Sequence, residues 1–134
     1  MANALFSKGR EGFLDGSIDW DTNEIRVALM KSTYTFDDND VYVSDLTSTD
    51  NGRSAALGTK TVALGIADAA DTTLTATSAV ACNALVVYQY NAADAAARLI
   101  AYIDTPTSGL PFTPSAGQTV NITWDNGANK VFKL

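Results

Sequence analysis

Side chains able to do chemistry are few in this sequence, and almost all of them are carboxylates. Fifteen Asp and Glu residues stand against nine Lys and Arg, there is no histidine, and Cys82 is the single cysteine. Without histidine the commonest general base is missing, and with it the Ser/His/Asp triad and the ordinary His-containing zinc sites. One thiol supports neither an internal disulfide nor a Cys-rich metal site. Cys82 lies in an apolar stretch and reads as a small buried hydrophobe.

Carboxylate chemistry therefore has to be weighed by spacing. Asp19-Trp20-Asp21-Thr22-Asn23 matches the opening of a calcium loop, but Glu24 stands where the sharp turn needs Gly and Met30 where the bidentate Glu belongs. A strand-flanking turn is the better reading. Asp37-Asp38-Asn39-Asp40 sets hard oxygens at a spacing open to calcium, although a solvated acidic loop explains the same residues. Only Glu11 and Glu24 are glutamates, and no pair of acids is singled out for glycosidase work. Gly52 and Gly58 lack the flanking residues of a phosphate-binding loop. The sequence thus predicts no catalytic residue, no cofactor-binding residue, no metal ligand and no enzyme activity.

Charge narrows the partners. A formal net charge of −6 with scattered cations offers no basic stripe for phosphates, so nucleic acid is not an expected partner. Residues 1–14 hold no apolar run of signal-peptide length, and no segment approaches the ~18 apolar residues of a membrane helix. Neither export by that route nor membrane insertion is expected, and a disulfide-free chain can fold in a reducing cytoplasm. The sequon Asn121-Ile122-Thr123 falls in an expected strand and reads as chance.

The elements that must position these groups follow from periodicity. A chain of 134 residues, 46% hydrophobic, suits one domain with one core spanning residues 1–134. Residues 1–15 carry Leu5, Phe6, Phe13 and Leu14 at roughly helical spacing, with Asn3 as N-cap and Gly16 as stop. Gly9 and Gly12 weaken that short helix, which must gain its stability by docking. Beyond Gly16 the period is two: Ile18 and Trp20, then Ile25, Val27 and Leu29. Val41 to Val43, Thr59 to Ile66, Thr72 to Ser78, Asn83 to Tyr90 and Leu99 to Ile103 read as further strands. Turns are expected at Asp50-Asn51-Gly52 and at Asp68 to Asp71, and Ala92 to Ala97 reads as a hairpin connection. Residues 104–117 hold all three prolines and form an extended loop. Val120, Ile122 and Trp124, turning at Asp125 to Asn129 and returning through Phe132, form the clearest local hairpin. The expected fold is all-β, an antiparallel β-sandwich or jelly roll of about eight strands with a short N-terminal helix.

Partner-facing candidates are large apolar residues on marginal elements. They are Leu5, Phe6, Phe13 and Leu14 in the N-terminal segment, with Leu110 and Phe112 in the proline-rich loop. A helix that merely caps its own domain is the alternative for the first four, and a self-packed plug for the other two.

Three stretches carry a resemblance: Lys8 to Gly16 followed by Ile18-Asp19-Trp20-Asp21, then Ile25 to Leu29, and the tail Ile122 to Phe132. They resemble small virion structural proteins of tailed bacteriophages, closest to the jelly-roll head-decoration, or cement, proteins. The resemblance implies a homo-oligomer, a dimer or trimer, seated on the capsid exterior. Its partner would be the major capsid protein, and it would be made in the host bacterial cytoplasm and carried on the virion. It would stabilise the assembled head by bridging capsid subunits, since a partner that binds only the assembled shell favours it by mass action. Deleting residues 1–15 would then leave a soluble domain that fails to join heads. Two alternatives stand beside it: a tail, baseplate or fibre-associated virion protein, and a carbohydrate-binding β-sandwich using Trp20, Tyr34, Tyr42, Tyr88, Tyr90, Tyr102 or Trp124.

Overall fold

Three apolar runs build the centre of the protein, because strands covered on both faces need no alternation. A computed structural model describes residues 3–104, 112–125, 127 and 130–134. It is mostly β, with antiparallel sheets and one α-helix. The runs become β2 (Ile25–Lys31), β7 (Cys82–Gln89) and β8 (Leu99–Ile103). Two short edge strands, β1 (Ala4–Leu5) and β3 (Asp50–Arg53), complete a five-stranded sheet ordered β1-β8-β7-β2-β3. Its register sets Val27 opposite Val87 and Val87 opposite Ala101.

Period two then separates two hydrophobic clusters. Ile25, Val27, Leu29, Leu85, Val87, Ala101 and Ile103 enter one, and Ala28, Met30, Ala84, Val86, Tyr88 and Tyr102 enter the other.

Two small sheets cover the first face. β4 (Thr61–Ala63), β5 (Ile66–Asp68) and β10 (Phe132–Lys133) pair in the order β10-β5-β4, and β6 (Thr72–Thr75) pairs with β9 (Thr119–Ile122). Trp20, Leu74, Val120, Ile122, Trp124 and Phe132 project from this layer into the first cluster. Both indoles hold the link between β5 and β6, Trp20 Nε1 donating to the Asp68 carbonyl at 3.0 Å and Trp124 Nε1 to the Ala70 carbonyl at 3.0 Å.

The second face is closed by irregular chain. Phe6 is fully buried against it, and Tyr34, Val43 and Leu46 join it, with Phe36 packed alongside. Helix α1 (Ser7–Asp15) starts directly after Phe6 and ends at Gly16, whose φ of 80° is the left-handed stop the sequence predicts. Its start differs from the expected cap. The amide of Ser7 donates to Asp38 Oδ1 at 2.7 Å, and Asn3 instead accepts from the amide of Asp104 at 2.9 Å.

Several expected elements are corrected. The terminal hairpin does not form: β9 pairs with β6 and β10 with β5, because the intervening Trp124 is anchored to Ala70 and its amide to Asp71. Thr59 to Ile66 is not one strand. It folds back at Leu64-Gly65, both with positive φ, into the β4–β5 hairpin. Asp50-Asn51-Gly52 is strand β3 and not a turn, with Asn51 fully buried. Val41 to Val43 contributes an isolated bridge at Tyr42 and the start of a 3-10 turn, Val43–Leu46. Ten short strands are described where about eight were expected. The Ala92 to Ala97 connection does join two paired strands, as the sequence predicts. Residues 105–111, half of the proline-rich loop, lie outside the described residues.

Candidate functional site

The N-terminal segment buries its small residues and shows some of its large ones. Gly9 lies so close to β8 that an added Cβ would stand 2.8 Å from the Leu99 carbonyl oxygen and 2.9 Å from Ile100 Cα. Gly12 is pressed onto Ile18 in the same way. The helix therefore docks by its glycine face, a signal the sequence shows plainly as Gly9-Arg10-Glu11-Gly12 but which reads as weakness if propensity alone is considered. Leu14 is left 89% exposed.

The sequence-predicted contact residues consequently separate. Phe6 is 0% exposed and belongs to the protein's own core, which corrects its assignment to a partner surface: no face of the ring is left to offer. Leu5 is half-buried against the first cluster. Phe13 is half-buried, its ring 5.7 Å from that of Phe132. Phe112 bridges Cys82 through two backbone hydrogen bonds and packs on the core. That places it at the opposite end of β7 from Gln89, whose side chain reaches Ser17 beyond α1. Leu110 lies outside the described residues.

Around Phe13 the fold assembles residues, Val62 and Leu134 among them, that sequence reading passed over. A shallow cavity of about 230 Å³ is lined by Phe13, Ile18, Trp20, Val62, Phe132 and Leu134, among others. Val62 is 57% exposed and Leu134 56%, while Leu64, next to the Gly65 of the lining, is 93% exposed at the hairpin tip. Leu134 is fixed to that hairpin by its amide, which donates to the Gly65 carbonyl at 2.9 Å. Exposed large apolar side chains gathered at one end of a domain mark an interaction surface more often than they mark a solvated one. The alternation of Val62 and Leu64 with Ala63 was the available signal, but placing Val62 beside Phe13 needed the tertiary fold.

The acidic segments are occupied by the chain itself. Asp38 accepts from the amide and the hydroxyl of Ser7, and those two hydrogen bonds hold its carboxyl below the usual range. Asp37 accepts from the amide and side chain of Asn39. Asp40 accepts from the Tyr34 hydroxyl at 2.8 Å, and burial raises both groups. In the Asp19 to Asn23 turn, Asn23 Oδ1 accepts from the Asp19 amide at 2.7 Å and from Gln89 Nε2 at 2.8 Å. Asp19 and Asp21 share a hydrogen bond that lowers the first and raises the second. Among the described residues no three Cys, Asp or Glu side chains converge as metal ligands would.

The buried Asn51 is satisfied internally. Asn51 donates to the Ser78 carbonyl and to Cys82 Sγ, and its Oδ1 accepts from Thr77 Oγ1, Ser78 N and Ser78 Oγ. Burial pushes the Cys82 thiol up, as expected of an unreactive core cysteine. Of the aromatic residues considered for sugar binding, Trp20, Tyr34, Tyr88, Tyr102 and Trp124 are buried, and Tyr90 is covered on one face by the Arg26 guanidinium 3.8 Å from its centroid. Among the described residues no helix is long and apolar enough to cross a membrane.

Comparison with protein-family models, with curated proteins and with solved structures gives no match for this chain.

Proposed function

We propose that the protein is a non-catalytic virion component of a tailed bacteriophage, a decoration or cement protein that binds the capsid exterior and bridges major capsid subunits. The finer fold reading goes with it: the five-stranded sheet and the two small sheets over its first face form a jelly-roll-like body. One observation carries the proposal, namely the exposed apolar end built from Val62, Leu64 and Leu134 around a shallow cavity that Phe13 also lines. Such a surface suits self-association into a dimer or trimer, or contact with a shell subunit, and either use repeats across a symmetric lattice. The acidic balance keeps the free protein soluble and away from packaged nucleic acid.

Two measurements test it. Quantitative protein analysis of purified heads lacking tails should find this chain in regular stoichiometry with the major capsid protein. Its presence only in tailed particles would move it to the tail, and its absence from both would end the virion reading. The double variant Leu14→Asp, Leu64→Asp should stay folded yet lose binding to heads, since both side chains are almost fully exposed.

A further inference from the structure

A groove of about 570 Å³, which shares Phe132 and Leu134 with the apolar cavity, is different in character. Its floor includes Tyr102, Ile103 and Trp124, and its rims carry Arg10, Lys130 and Lys133. Asp125 is the single acidic residue in the lining. The lining thus holds more cationic than acidic side chains, whereas the whole chain has nine Lys and Arg against fifteen Asp and Glu.

The groove is also bounded by two sheet edges. β1 is the last strand of the five-stranded sheet and β10 the last strand of the three-stranded sheet, and both line it. Among the described residues each has one paired neighbour, β8 for β1 and β5 for β10. An edge strand presents backbone donors and acceptors on its open side, and an extended segment entering there gains main-chain hydrogen bonds while its side chains set specificity.

From these two features we infer that the groove between β1 and β10 receives an extended, acidic segment of another polypeptide, added as a strand. The edges supply backbone pairing, and Arg10 and Lys133 on the rim select carboxylates. The apolar floor takes the alternate, inward side chains of the same segment. This holds whether the partner is a capsid subunit or any other protein, so it does not depend on the virion reading.

The test uses the full chain and three blocked hexapeptides labelled for fluorescence anisotropy. One alternates Asp with Val, the second alternates Lys with Val, and the third repeats the first with alternate amides N-methylated. Saturable binding is expected for the Asp peptide, with affinity at least about tenfold above the Lys peptide and falling as salt is raised. N-methylation should abolish it. The double variant Arg10→Glu, Lys133→Glu, checked for an unchanged circular-dichroism spectrum, should weaken the Asp peptide by about tenfold. Absence of binding, equal binding of the Asp and Lys peptides, or tolerance of N-methylation would overturn the inference. The N-methyl arm is read on the unaltered protein and decides the matter even where the double variant misfolds.

Discussion

The two faces of the five-stranded sheet are sealed by different means. Over the first, paired strands carry Leu74, Val120, Ile122 and Phe132 inward, and their backbone groups are satisfied by the ladders. Over the second, irregular chain from Tyr34 to Leu46 lies on Ala28, Val86, Tyr88 and Tyr102, with a single isolated bridge at Tyr42 in place of a ladder. Beside a few backbone carbonyls, carboxylates take up amides here and at the start of α1. Asp45 accepts from the amides of Val41 and Tyr42, Asp37 from that of Asn39 and Asp38 from that of Ser7. A loop laid over an apolar face has to satisfy its backbone polar groups somewhere, and short acidic side chains are well shaped to do so locally. The acidity of this segment is thus a folding device, which is why spacing alone made it resemble a calcium site.

Helix α1 joins the two covers, with Phe6 of the second cluster just before it and Phe13 against the first cluster near its end. The comparison is broken most severely by removing Phe6. Phe6→Ala should cost about 3–5 kcal/mol, the range for a buried Phe, measured as a fall in the urea midpoint at unchanged slope. A cost below about 1 kcal/mol would show the loop-covered face to be loosely packed and the two faces unequal in a second sense. For the same reason deletion of residues 1–15 removes β1 and Phe6 together, so the truncated chain should unfold, in contrast to the sequence expectation of a soluble remnant.

Asn51→Ala tests the strand-covered side of the sheet, where Asn51 sits beside Cys82 of the first cluster. It leaves Ser78 N, Thr77 Oγ1 and Ser78 Oγ without their common acceptor, and a loss of about 1–3 kcal/mol is expected in the same denaturation experiment. Gly9→Ala sharpens the role of the helix as a joint. Propensity alone would stabilise the helix by about 1 kcal/mol, but the added methyl meets the backbone of Leu99 and Ile100, so net destabilisation of about 1–2 kcal/mol is expected. A rise in melting temperature would show that the helix can lift away from β8 at little cost.

The smallest effect concerns Asp38. Its carboxyl is held below the ordinary value by Ser7, so the folded state favours the ionised form. That contribution is complete above the unfolded pKa of about 3.9 and disappears as pH falls through the lowered folded value. Asp38→Ala should cost about 1 kcal/mol at neutral pH, as for loss of a helix cap, and should flatten the decline in stability below about pH 4. An acid limb identical to that of the unaltered protein would remove Asp38 from the account of how the second face is held.

Much of the architecture was legible because local chemistry agreed with the final fold. The apolar runs at Ile25, Cys82 and Leu99, the stop at Gly16 and the connection at Ala92 to Ala97 all appear where their residues place them. Less legible were the interactions between distant segments. The Asp125 to Asn129 turn residues argued for a hairpin, yet Trp124 is held by Ala70 and Asp71, more than fifty residues earlier. Phe6 and Leu14 looked alike as exposed anchors, and the fold buried one and exposed the other.

By itself the sequence determined the class of this protein: a β-rich chain without histidine, with one buried thiol and an excess of acid. These follow from residue type and period, which act over a few neighbours. Only the tertiary structure decided which face each strand turns inward and which apolar residues remain outside. It also decided that β1 and β10 flank one cationic groove, since pairing partners and surface juxtapositions are set by packing between segments far apart in the chain.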